Sequence, residues 1–381
     1  MAKLGMPTVV VKFIEAGIEA IQRSQRGIVA LILEDTKQVI DKLATKTNGH
    51  EVLPNPFLVY TVDDIPEELS DKNKDYILKA LKGYNKPPLK IVVYMMQQGG
   101  DKTGADRFQE PLKAMLTERF DYLAIPTIET AQLEYVATWV KTARENKFKK
   151  IKVVLPGSNA DYEGVINFGN TKVFTADREY KPAEYTARIA GLVVGTNMTQ
   201  SATYAPLAEV IDCDRHTQDE MDAMVNEGKF FIWYDGEKFK MSRAMNSLVT
   251  TSQGKLEGYQ TIKIVDIMDM IYDDIRKTAQ DSYIGKYTND YENKCLLISA
   301  ILGYFKQLEN ERLLQKDYST CEIDCEAVRT YQLSHGLFTK EELAKMSDDE
   351  VKKLDTKKIV FLKAKVRPLD AMEDIQLPIN I

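Results

Sequence analysis

Between residues 26 and 200 the apolar positions alternate between two rhythms. Ile28-Val29-Ala30-Leu31-Ile32-Leu33 is an unbroken apolar run, the pattern of a strand buried on both faces. Residues 57–60, 89–96, 122–125 and 151–155 read as further strands, the last two stopped by Pro126 and by Pro156-Gly157. Between them apolar residues recur at helical spacing: Ile77, Leu81 and Tyr84; Phe108, Leu112, Met115 and Leu116; Leu133, Val136, Ala137 and Val140. Strands separated by amphipathic helices imply βαβ crossovers and a mostly parallel sheet.

Further on the pattern is mixed. Tyr185, Ile189, Leu192 and Val193 predict a helix. Residues 229–240 predict a hairpin turning at Asp235-Gly236. Ile264, Ile267, Met268, Ile271 and Ile275 share one helical face, with Asp266, Asp269 and Asp273 on another. Ile298, Ile301, Leu302, Phe305 and Leu308 mark a second long helix, expected to end near Lys316. The expected class is α/β, becoming α+β in the C-terminal half. The expected divisions are an N-terminal arm at 1–25, a βα-alternating part at 26–200, a second part at 201–367 and a C-terminal arm at 368–381.

Both ends are strand-like. Residues 6–14 include Val9, Val10, Val11 and Phe13, and 374–381 alternate so that Ile375, Leu377, Ile379 and Ile381 share a face. Val360, Leu362, Ala364 and Val366 share a face just before. A free strand leaves amides and carbonyls unpaired and seeks a sheet edge. That edge could belong to a neighbouring subunit or to the chain's own sheet, and periodicity alone favours the chain's own sheet because swapped arms are scarce.

Composition narrows the function. A net charge of -6 without a long basic block argues against phosphate-backbone binding. No apolar run approaches the ~20 residues of a membrane span, and the first residues lack a secretory pattern. Four cysteines, Cys213, Cys295, Cys321 and Cys325, read as reduced thiols of a protein folded in the cytoplasm. Residues 97–104 mimic a phosphate loop, because they follow a strand and precede a helix. Asp101, however, separates Gly100 from Lys102 and would repel a phosphate. Asp212-Cys213-Asp214-Arg215-His216 holds ligand-capable types without zinc spacing, and Thr217 or Asp214 is better read as a helix cap. Most other Asp and Glu positions read as solvated faces. No nucleophile, base and orienter set is visible, so no catalytic, metal or cofactor site is expected.

Longer stretches carry a resemblance. Residues 20–33 (AIQRSQRGIVALIL), 185–191 with 197–204, 231–251 and, above all, 363–375 (KAKVRPLDAMEDI) resemble phage-like contractile tail sheath proteins. The group is the defective-prophage and diffocin-type bacteriocin sheaths of Gram-positive bacteria. The resemblance spans the whole chain. It implies a compact sheath fold with linking arms at both ends, using Val9, Val10, Val11, Phe13, Ile375, Leu377, Ile379 and Ile381. It implies stacked six-membered rings around an inner tube, with baseplate and tail terminator proteins as further partners, and neither nucleic acid nor membrane. It implies contraction that drives the tube through a bacterial envelope without nucleotide, in a phage tail or an R-type bacteriocin assembled in the cytoplasm. Lys306, Arg312 and Lys316 are the candidate tube-facing charges. The competing reading is an α/β nucleotide- or small-molecule-binding enzyme using residues 97–104.

A thermal-shift titration with ATP and magnesium is expected to leave the melting temperature unchanged. A saturable rise that Lys102→Ala abolishes would favour the enzyme, since a ligand bound only by the native state must stabilise it.

Overall fold

The run at 28–33 becomes the centre of the molecule's main sheet. In the computed structural model, which describes residues 20–44, 53–100 and 103–380, the first half forms β1 (Ile28–Asp35), α1 (Lys37–Leu43), β2 (Phe57–Val59), α2 (Asp71–Leu81), β3 (Lys90–Gln97), α3 (Gln109–Met115), β4 (Tyr122–Ala124), α4 (Leu133–Glu145), β5 (Lys152–Pro156) and β6 (Val165–Phe168). Then come β7 (Val173–Thr175), β8 (Glu179–Tyr180), α5 (Pro182–Val194), β9 (Val210–Cys213), α6 (Gln218–Asn226), β10 (Lys229–Phe230), β11 (Ile232–Tyr234), β12 (Phe239–Met241) and α7 (Ile262–Thr278). Seven strands hydrogen-bond in the order β10-β6-β5-β4-β1-β3-β2. β1 runs parallel to both β3 and β4, and only β2, on the edge, is antiparallel.

Because side chains alternate along a strand, β1 feeds two cores. Val29, Leu31 and Leu33 pack with α2 and α5, through Ile77, Ala80, Ile189 and Leu192. Ile28, Ala30 and Ile32 pack on the opposite face with α3 and α4, through Leu112, Met115, Val136 and Val140. The result is three layers with a buried parallel sheet, as the unbroken apolar run requires. α5 approaches α2 so closely that a Cβ at Gly191 would collide with the Ala80 carbonyl. The α/β class is therefore as expected.

Residues 24–273 with 368–380 make one compact unit, and 20–23 with 274–367 another. Residues on both sides of position 200 share the first unit, and the division falls inside α7. The second unit contains α8 (Tyr291–Asn310), β13 (Thr320–Ile323), α9 (Cys325–Ser334), α10 (Lys340–Lys345), α11 (Asp348–Val351) and β14 (Leu362–Lys365). β13 and β14 pair antiparallel, over a small core of Ile323, Val328 and Val351. Tyr304 of α8 donates to Asp274 at 2.6 Å, and Arg23 pairs with Glu311 at 3.2 Å.

Three expectations change. The hairpin at 229–240 is split: Lys229–Phe230 joins the main sheet beside β6, and only Ile232–Tyr234 pairs with Phe239–Met241. Asn170 causes the break by taking both backbone groups of Ile232, accepting from its N–H at 2.6 Å and donating to its carbonyl at 2.9 Å. The turn spans 235–238, with Asp235 accepting from Glu237 and Lys238 amides, rather than a two-residue turn at Asp235-Gly236. α8 stops at Asn310, because the last turn unwinds into Arg312 at a left-handed φ of 61°; Arg312 and Lys316 therefore follow the helix instead of lying on it.

The third change concerns α7, whose acidic face is not solvated. Asp269 is 3% exposed. It accepts a two-pronged bond from Arg144 at 2.8 and 3.0 Å and a third from Lys152 at 2.7 Å. Lys152 also reaches Asp266 at 2.9 Å, which accepts from the Tyr122 hydroxyl at 2.9 Å. Arg26 bridges Asp121 and Asp273, and Asp121 accepts from the Gly27 and Ile28 amides at 2.7 and 2.9 Å. The α7 aspartates thus meet cations and a tyrosine hydroxyl at the amino-terminal ends of β1, β4 and β5, where Asp121 holds the first amides of β1. Burial alone would raise the Asp269 carboxyl, but Lys152 and Arg144 outweigh it and bring it down to about 2.

Asp269→Ala should cost on the order of 3–5 kcal/mol at pH 7, the usual effect of stranding buried charge. Because the folded-state value lies below the unfolded ~3.9, the Asp269 contribution is present above about pH 4 and lost as pH falls toward 2. Urea melts of wild type and variant should therefore converge over that range, and a gap that stays constant would contradict the account.

Candidate functional site

The loop after β3 was the candidate for chemistry. Asp101 and Lys102 lie outside the described residues. Gly99 and Gly104 take left-handed φ of 68° and 58°, and a hollow of about 570 Å³ opens beside them. The element that follows is a 3-10 turn, Gly104–Phe108, not an α-helix start. Arg107, which lines the hollow, is already ion-paired to Glu34, and Glu34 also accepts from Thr127 at 2.7 Å.

The residues at 212–217 have structural tasks. Cys213 is buried, its thiol pushed up to about 12 by desolvation, and it donates to the Ile232 carbonyl. Asp214 accepts from the amide and hydroxyl of Thr171, each at 2.6 Å. Thr217 caps α6, reciprocated by Glu220, whereas Asp214 does not.

The C-terminal segment divides into a held part and an exposed part. Its first part is seated on the 24–273 unit. Glu373 accepts from Ser201 at 2.9 Å and from Thr203 at 2.6 Å. Arg243 pairs with Glu373 at 3.6 Å and with Asp374, and this pair holds the Asp374 carboxyl below its ordinary value. Beyond Asp374, as far as Asn380, the chain forms no strand with any of the described residues. Ile375, Leu377 and Ile379 are 83%, 75% and 75% exposed. Val9, Val10, Val11, Phe13 and Ile381 lie outside the described residues.

The second unit offers a counterpart. β13 and β14 form a sheet of two strands, and among the described residues each has an outer edge that no other strand covers. Nearby in sequence, Lys306 is ion-paired to Glu309 at 3.1 Å and Asp317 at 2.6 Å, while Arg312 and Lys316 are exposed. Lys365 and Arg367 sit over the Tyr318 ring at 4.7 and 4.4 Å. Those two cations were not singled out by the sequence, because their common partner is 47 or more positions away by numbering.

The model of the phage tail sheath protein central domain matches residues 101–247, and that of the tail sheath C-terminal domain matches 255–381. Together they cover more than half of the chain. The chain belongs to the phage tail sheath family. The tail sheath protein of Clostridium phage phiCD119 is 32% identical over 382 aligned positions, covering 99% of both chains. Among solved structures, the sheath tail protein of Desulfitobacterium hafniense shares the fold with a TM-score of 0.67 at 19% identity, covering 83% of this chain and 94% of that one. The helical sheath of the anti-feeding prophage, in its contracted state, shares it with a TM-score of 0.68 at 12% identity over 99% of both chains.

This sheath protein is accordingly a structural subunit, and the enzyme alternative built on residues 97–104 is not supported. What the sequence missed in it is the seat: Ser201, Thr203 and Arg243. The one available signal was on the arm, where Asp370, Glu373 and Asp374 immediately precede an uncharged alternating stretch.

Proposed function

We propose that this sheath protein stacks as six-membered rings around an inner tail tube, and that its arms clasp neighbouring subunits while the sheath contracts. The observation that carries this reading is the C-terminal segment at 375–380, which exposes three large aliphatic side chains and, among the described residues, pairs with no strand of its own chain. An apolar alternating strand with bare amides is a template for augmentation. The two-stranded β13–β14 sheet is the fitting recipient, since a sheet of two strands is marginal and gains from a third and fourth. Six residues reach about 20 Å at roughly 3.3 Å each, enough to cross to an adjacent subunit. Pro378 limits which of its edges can bond, because proline donates no hydrogen bond.

The same reading assigns the finer partners. Baseplate and tail terminator proteins cap the helical sheath, and Lys306, Arg312 and Lys316 face the tube. The reading also assigns assembly to the bacterial cytoplasm and release as part of a phage tail or a bacteriocin particle; no described helix is long and apolar enough to cross a membrane.

Deleting residues 375–381 should leave a soluble monomer with unchanged circular dichroism that no longer forms striated tubes in negative stain. Tubes from the truncated protein would remove the clasp; loss of folding would assign the segment to the subunit's own core.

The tube contact has its own test. Reversing Lys306 and Lys316 to Glu should weaken sheath assembly on purified tubes, and more so at low salt, where exposed charges are least screened. Unchanged assembly at low salt would place the tube against another surface.

A further inference from the structure

The C-terminal segment changes character at one residue. Up to Asp374 it is acidic and held; from Ile375 it is uncharged and free. Three carboxylates, Asp370, Glu373 and Asp374, precede the change, and no charged side chain follows it. Two cations of the 24–273 unit face them. Arg243 pairs with Glu373 and Asp374. Lys263, 6% exposed, feels Asp370 and Glu373 as its nearest compensating charges. Two hydroxyls complete the arrangement, Ser201 and Thr203, both donating to the same Glu373 oxygen. Ser201 and Thr203 are themselves fixed: the Thr203 amide donates to Ser201 Oγ at 3.1 Å, and the Ala244 amide donates to Thr203 Oγ1 at 2.9 Å. The seat is thus tied to the backbone of two separate segments before the arm arrives.

Resting on the clasp reading, we propose that Arg243, Ser201 and Thr203 are positioning residues that fix where and in which direction the C-terminal arm leaves the subunit. A tether free from Pro368 onward would sweep its apolar tip over its own surface. It would also lose the freedom of all 14 positions, 368–381, on every capture. Seating 370–374 in advance removes about a third of that ordering from the docking step, and pre-ordering a segment strengthens its capture by lowering the entropy lost. It also keeps Ile375, Leu377 and Ile379 presented outward, consistent with their high exposure in the single chain.

The seat is polar and partly exposed, with the Arg243 side chain at 39%, so it is strong enough to orient the arm and weak enough to rearrange with the lattice. Surface ion pairs contribute little to global stability. Losing this one should alter the arm without altering the fold.

The test uses the full chain. A glutamate-specific protease reports on Glu373 directly, because cleavage of a held site follows the fraction of time it is open. In monomeric protein, Arg243→Ala should raise the rate of cutting after Glu373 on the order of tenfold, with the melting temperature unchanged. Asp374→Ala, which alters only the exposed arm, should do the same from the other side, and Arg243→Lys should restore much of the protection. Both alanine variants should need a higher protein concentration to form tubes. Cutting and assembly at wild-type levels in both would overturn the proposal, and so would faster cutting with unaltered assembly. The 375–381 deletion, run in parallel, separates this from the underlying reading. Tubes from the deletion remove the clasp itself; no tubes from it, with wild-type behaviour of the Arg243 and Asp374 variants, leaves the clasp standing and removes the seat.

Discussion

Asp269 sits where the subunit can least spare it. Its carboxylate is bonded to Arg144 at the end of α4 and to Lys152 at the start of β5, and its neighbours on α7 extend the same contact to β4 and to the residues preceding β1. Apolar packing would hold α7 against the sheet in several registers of similar energy. A buried carboxylate that must meet two buried cations admits only one, because a slip of a single residue would leave three charges dry and unpaired. The network therefore specifies position more than it adds net stability, since desolvation offsets much of the Coulomb attraction between buried charges.

With α7 fixed, the rest of the 24–273 unit is a rigid platform. β1 is covered on both faces, and the helices on each side interlock through close approaches such as Gly191 against Ala80. Arg188 and Glu209 show the same economy at a second place. Burial would raise the Glu209 carboxyl, yet Arg188, with help from Lys82, holds it at about 2. Against this stands the C-terminal arm, with exposed apolar side chains and almost no internal bonding beyond Asp374. Local stability follows contact density, so one short chain combines a densely packed part and a terminal segment with few contacts of its own. The proposed clasp would use both, because subunits of a contracting lattice must move as bodies while remaining joined.

The sequence by itself determined the layered core. Period-two and period-3.6 apolar patterns depend only on which face of an element is dry, and that information is local. Hence the strand at 28–33, the helices at 133–145 and 182–194, and the α/β class were legible. The family was legible for the same reason, since its extended motifs are runs of neighbouring residues. Tertiary structure alone decided which distant groups meet. Arg243 and Asp374 lie 131 positions apart and Ser201 and Glu373 172 apart, and no spacing rule connects them. It alone decided that the aspartates of α7 face buried cations rather than water, because a polar helical face looks the same in either setting. It alone split the apolar run at 230–234 between two sheets, since Asn170, 62 residues upstream, captures the backbone of Ile232. Periodicity records the solvent each residue prefers; charge pairing and backbone capture depend on what the folded chain brings alongside.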